Sequence, residues 1–116
     1  MIRSMNFALT AVMLLVSSQN LIAKPQIPQS ESECVASGGS WTELGLSYPG
    51  KPKVCDVKST DFGKSCTSSI QCEGVCVAPD DAIIGTTLSG ACSRYLIEYG
   101  CFKQVENSKV ESLCVD

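Results

Sequence analysis

Apolar positions cluster unevenly along this chain, and the first cluster stands apart from the rest. Phe7-Ala8-Leu9-Thr10-Ala11-Val12-Met13-Leu14-Leu15-Val16 runs apolar behind a short start carrying Arg3, and Ser17 to Ala23 then turns more polar and ends on a small residue. A charged start, a short apolar run and a small-residue exit form the pattern of a secretory signal peptide. A membrane-spanning helix needs about 20 apolar residues, more than this run supplies. Residues 1–23 are therefore predicted to be a signal peptide cut after Ala23, with Ser18 as the second choice because Leu21 is large for its place before the cut. An uncleaved anchor is the alternative.

Beyond that run the pattern becomes a mosaic of short elements. Residues 24–30, with Pro25 and Pro28, read as an extended linker, since each proline also restricts the residue before it. Ser30-Glu31-Ser32-Glu33 has capping-box spacing. It predicts a helix from Glu31 to about Ser37, stopped by Gly38-Gly39, with Cys34 in its middle. Ser40 to Leu44 suits a strand, Tyr48-Pro49-Gly50 a turn, and Lys53 to Val57 the returning strand. Cys34 and Cys55 then fall in one helix-plus-hairpin unit and are expected to pair. Thr86-Thr87-Leu88 and Arg94 to Tyr99 are β-prone and are expected to add strands to a C-terminal sheet.

The C-terminal pattern is the most constraining. With Asn107-Ser108 as a two-residue hairpin loop, Glu106 faces Lys109, Val105 meets Val110 and Phe102 meets Leu113. The same register sets Cys101 opposite Cys114 in a non-hydrogen-bonded pair. Such pairs bring Cα atoms to about 4.5 Å, within the roughly 4.4–6.8 Å a disulfide accepts. A disulfide Cys101–Cys114 is expected.

Composition then decides how such a chain is stabilised. All eight cysteines lie after residue 33, and an even count in a short exported chain signals a disulfide framework. Residues 31–116 are read as a single disulfide-rich domain. Its expected fold class is small, disulfide-rich and mainly β, with a short N-terminal helix, antiparallel hairpins and long cross-linked loops. Asp61 to Cys76 is cysteine-dense, and Cys66, Cys72 and Cys76 cannot all pair among themselves. Cys66–Cys76 with Cys72–Cys92 is the favoured arrangement among about 105 connectivities. Each disulfide contributes roughly 2–4 kcal/mol, so reduction is expected to unfold the protein.

Charge and missing residue types narrow the chemistry. The net charge is −3, and removing 1–23 takes away Arg3 but none of the twelve acids. Nucleic acid and cationic membrane-disrupting roles are thus disfavoured. There is no histidine, which excludes Ser-His-Asp and Cys-His nucleophiles and His-containing zinc sites. The cysteines lack paired C-x2-C clips, so disulfides are expected rather than all-cysteine zinc. Cys72 and Cys76 are separated by three residues, not the two of a thiol–disulfide oxidoreductase motif. A carboxylate pair for acid–base work would come from Asp56, Asp61, Asp80 or Asp81 and would need both groups in one pocket. Asp80-Asp81 reads as a solvated turn without EF-hand calcium spacing. No catalytic residue, cofactor or metal is expected.

The order C-x-x-x-G-G-x-W at Cys34–Trp41, D-x-G-K-x-C at Asp61–Cys66, Q-C-x-G-x-C at Gln71–Cys76, G-x-C at Gly90–Cys92, G-C at Gly100–Cys101 and C-V-D at Cys114–Asp116 resembles a set of small exported cysteine-rich proteins of bacteria. The resemblance implies a periplasmic or secreted protein and carries no activity. The middle segment also resembles whey-acidic-protein-type inhibitors but lacks their adjacent cysteine pair, so inhibition is not implied. The expected role is a binding or inhibitor-like module for an extracytoplasmic protein or glycan, with no membrane anchor after signal cleavage. Candidate contacts are Arg94, Tyr95 and Tyr99, together with Ile83 and Ile84 as an apolar loop. A core-facing role for Tyr95 and Ile97, and packing of Trp41 on a disulfide, is the competing assignment. A purely structural envelope or secreted protein, or a thiol redox protein, is the alternative function.

Overall fold

The computed structural model describes residues 24–115, so the predicted signal peptide over 1–23 and the final Asp116 lie outside the described residues. Ser30 opens helix α1 (Glu31–Ala36), its hydroxyl accepting from the Glu33 N–H at 3.3 Å. Gly38, at φ +83°, turns the chain out of the helix, and the Gly38 and Gly39 N–H groups close on Val35 O and Cys34 O. A left-handed residue is a common helix stop, and glycine adopts it without steric cost. Strand β1 (Ser40–Thr42) then pairs antiparallel with β2 (Val54–Asp56), Trp41 opposite Cys55. Cys34 reaches from α1 to bond Cys55. Both strands are shorter than the sequence predicts, because Gly45 and Gly50 take positive φ and carry the intervening loop into solvent.

The larger sheet is antiparallel. It contains β3 (Ser65–Cys66), β4 (Cys76–Val77), β5 (Gly90–Cys92), β6 (Gly100–Glu106) and β7 (Lys109–Val115), in the spatial order β3-β5-β4-β6-β7. Strands β6 and β7 form the predicted hairpin in the predicted register, from Glu106 opposite Lys109 to Cys101 opposite Cys114. Asn107 and Ser108 have φ of 50° and 64°, the positive values that a two-residue loop of primed type requires. The hairpin joins β4 narrowly, through Val77 opposite Gln104 and an Ala78 N–H to Lys103 O bond of 2.9 Å.

The core sits on one face of this sheet. It consists of Cys66, Cys72, Cys76, Ala78, Ala82, Cys92, Val105 and Val110, with Leu88 packed against it. Few aliphatic side chains are available here, and disulfide sulfur takes their place. Gly90 is needed for that packing, since a Cβ there would lie 2.5 Å from Val77 O and 2.9 Å from Val105 Cγ2. The disulfides are Cys34–Cys55, Cys66–Cys76, Cys72–Cys92 and Cys101–Cys114, with no free cysteine among the described residues. The fold is thus small, disulfide-rich and mainly β, as expected. Disulfides at this density belong to an oxidising environment outside the cytoplasm. No helix among the described residues is long and apolar enough to cross a membrane.

Two β-prone segments are not strands. Thr86-Thr87-Leu88 contributes a single bridge, Thr87 to Lys109. Arg94 to Tyr99 contributes one, Tyr95 to Lys58. Around Tyr95, the backbone bonds run to the segment after β2, with Ser59 N–H to Arg94 O at 2.8 Å and Leu96 N–H to Val57 O at 2.9 Å. Buried Ser93 fixes the bend there, accepting from Val75 N–H and donating to Tyr95 O. Side chains of strand type do not form a strand when their backbone partners lie in a loop.

The linker over 24–30 folds back as a strap. Lys24 Nζ donates to Ser69 O at 2.8 Å and to Gly74 O. Ile27 and Pro28 face Trp41, Val54 and Ile97 across a small cleft of about 180 Å³. No disulfide joins the α1–β1–β2 unit to the larger sheet, so the strap and the Tyr95 bend hold the two together.

Candidate apolar groove

Alternation along β6 sorts its side chains between two environments. Val105 faces the core and is fully buried, whereas Phe102 points to the opposite face. There it lines a groove of about 510 Å³ with Phe62, Val77, Pro79, Ala91 and Arg94, and Ser89, Ser93 and Glu98 are the other polar residues of the lining. That size lies within the range of about 300–1,000 Å³ common for ligand pockets. Val77 and Ala91 reach the groove because they stand opposite each other in the β4–β5 ladder. The flanking pair Cys76 and Cys92 is held by the Cys66–Cys76 and Cys72–Cys92 disulfides. The floor of the groove is therefore fixed by the cross-linked part of the molecule.

Its polar groups are few. The Arg94 guanidinium lies over the Phe62 ring, 4.5 Å from the centroid, a geometry in which the ring face attracts the cation. Arg94 is exposed, so its donors remain open to a ligand. Burial pushes the Glu98 carboxyl above its ordinary pKa, and the nearby Asp56 carboxylate adds to the shift. Burial likewise raises Asp56. Only Glu98 of these two lines the groove.

The sequence-predicted contacts are not all brought together. Arg94 lines the groove, while Tyr95 and Tyr99 are half-buried outside its lining. Ile83 and Ile84 are 72 % and 58 % exposed on the loop after β4. That loop crosses the other face of the hairpin, where Lys103 Nζ donates to Asp80 O and Ala82 O. Ile97 is half-buried beside Trp41 in the small cleft, and Trp41 stands opposite disulfide-bonded Cys55. Asp80 and Asp81 are exposed in a turn. The aromatic groove residues missed from sequence are Phe62 and Phe102. They are the only phenylalanines after the predicted signal peptide, and that scarcity is the signal that would have flagged them.

The sulfur atoms of Cys66, Cys72 and Cys92 lie within 4.8 Å of one another. They belong to two disulfides and offer no thiolate to a metal. Cys72 and Cys76 bond to Cys92 and Cys66 rather than to each other.

A second polar centre lies where the strap lands. Burial alone would raise the Glu106 carboxyl, but bonds from the Ser69 N–H and Ser68 hydroxyl, both 2.8 Å, and the Lys24 charge outweigh it and hold the pKa below the usual value. Burial lowers the Lys24 ammonium against the opposing pull of Asp61 and Glu106. Asp61 Oδ1 is buried there without a hydrogen-bond partner. This centre fastens the strap; the groove is the surface open to a ligand.

Compared with family models, curated proteins and solved structures, the chain matches none.

Proposed function

We propose that this protein is an exported, periplasmic or secreted binding module whose groove holds an apolar side chain of an extracytoplasmic protein. Arg94 engages an adjacent carboxylate of the same partner. The observation that carries this reading is a groove with an apolar floor fixed by two disulfides and an exposed, ring-stacked arginine at its side. Phenylalanine, valine, alanine and proline form most of the side-chain surface, and the Ser93 hydroxyl is already bonded within the fold, so Ser89, Arg94 and Glu98 alone remain for sugar hydroxyls and a protein partner fits better than a glycan. Arginine and aromatic residues are also the types that dominate interface energetics.

The test is selection from a displayed peptide library on the oxidised protein, with counter-selection on Ala91→Glu. That exposed change sets a charge on the groove floor and leaves the core face untouched. Enriched peptides should share an apolar residue next to an acidic one and shift the amide resonances of Phe62, Ala91 and Phe102. Arg94→Ala should weaken them about tenfold, corresponding to roughly 1.4 kcal/mol. Failure to enrich any peptide over the Ala91→Glu control, or shifts confined to other surfaces, would refute the assignment.

A further inference from the structure

The outer edge of β7 is covered over half its length and open over the rest. Main-chain groups of Ser108 and Val110 are taken by the segment before β5. Leu88 N–H donates to Ser108 O at 3.0 Å, Val110 N–H to Thr86 O at 3.0 Å, and Gly85 N–H to Val110 O at 2.8 Å. The hairpin ladder alternates hydrogen-bonded and non-hydrogen-bonded pairs. Counting from the closing pair Glu106–Lys109, Val110, Ser112 and Cys114 are the residues whose N–H and C=O point away from β6. Val110 has its partners. Ser112 and Cys114 have none among the described residues, and both are exposed.

We infer that this open edge pairs with the same edge of a second copy of the chain. The occupant follows from register and charge. An antiparallel neighbour must set outward residue against outward residue. A twofold axis at Leu113 does this, placing Ser112 of each copy opposite Cys114 of the other in hydrogen-bonded pairs. The same axis sets Leu113 against its own twin and Glu111 against Val115, so no like charges are opposed. Lys109 falls outside the paired stretch, where the segment before β5 already closes the edge. Unpaired edges are templates for this kind of association, and a twofold contact is self-complementary.

A twofold axis normal to the sheet keeps equivalent faces on one side. Phe102 and Leu113 oppose each other on the groove face of the hairpin. The dimer therefore presents both grooves on the same face of one continuous sheet, a bivalent surface. The pairing stands or falls independently of any groove ligand. The contact is short, which puts it among weak, transient associations.

Sedimentation of the oxidised protein from micromolar to millimolar concentration tests this, together with amide exchange at Ser112 and Cys114. The expected result is a concentration-dependent rise toward twice the monomer mass, with those two amides slowing in step. Ser112→Pro removes an outward N–H that the hairpin does not use, and should abolish the rise. Leu113→Lys opposes two lysines on the axis without altering the backbone, and should weaken association at least tenfold. A protein that stays monomeric at millimolar concentration, or a Leu113→Lys variant that associates like the parent, would overturn the proposal. So would protection of Ser112 and Cys114 that appears only when a different protein is added, since the strand would then come from elsewhere.

Discussion

Two glutamates show how the same residue type acquires opposite roles from its surroundings. Glu106 accepts from the Ser69 N–H and Ser68 hydroxyl, and its pKa is lowered. A lowered carboxyl contributes stability above its unfolded value of about 4.3 and loses it as pH falls through the folded value. Glu106→Gln should therefore flatten the acid limb of a stability–pH curve and cost about 1 kcal/mol at neutral pH by urea unfolding. Glu98 is raised by burial, with Asp56 adding to it. Its contribution is present below the unfolded value and is lost as pH rises through the folded one. Glu98→Gln should be neutral or stabilising by about 0.5 kcal/mol at pH 7, because the site is partly solvated. Backbone contacts set a third residue-scale limit. Gly90→Ala would drive a methyl into Val77 O and Val105, and thermal unfolding should show a loss of about 1–3 kcal/mol. None of these environments was legible from residue type, since Ser68, Ser69 and Glu106 come from distant parts of the chain.

At the scale of elements, the β6–β7 hairpin is where local pattern and tertiary structure agree. Its register follows from residues close in sequence: a polar two-residue loop, matched valines, a charge pair and two cysteines. The loop is not ideal, because Ser108 sits at φ 64° with a side chain that disfavours it. Ser108→Gly keeps the main-chain bonds to Thr67 and Leu88 and should stabilise the protein by about 1 kcal/mol in urea unfolding. Helix α1 was equally legible, since its cap and its glycine stop are local. The segment Arg94 to Tyr99 was not. Its tyrosines and isoleucine have strand character, but its neighbours are a loop and the bend at Ser93, which local propensity does not report.

For the whole molecule, burial rather than loop length ranks the disulfides. Cys101 and Cys114 are exposed and their hairpin is also held by buried Val105 and Val110. Replacing both with serine should cost about 3 kcal/mol and leave circular dichroism native-like at low denaturant. Cys72 and Cys92 are 0 % and 1 % exposed at the centre of the core. Two serines there would bury hydroxyls without partners as well as remove the cross-link, and the oxidised variant should lose its cooperative transition. The strap is the other whole-molecule device. Lys24→Met abolishes the bonds to Ser69 O and Gly74 O. It should lower the melting temperature by several degrees and speed proteolysis near residues 24–30, while the hairpin amides stay protected.

The sequence alone determined the disulfide-rich β class, the Cys34–Cys55 unit and the hairpin with its Cys101–Cys114 bond, because in each the cap and turn residues between the cysteines set one cysteine against a single partner. The Cys66–Cys76 and Cys72–Cys92 pairs were one arrangement among many, and only the stacking of β3, β5 and β4 singles them out. The groove belongs wholly to tertiary structure. Phe62 and Phe102 come from separate segments, and Arg94 joins them because the Ser93 bend, not a strand, places it over the Phe62 ring. Contacts within one hairpin are encoded by spacing; a surface assembled from separate segments exists only after the chain has packed.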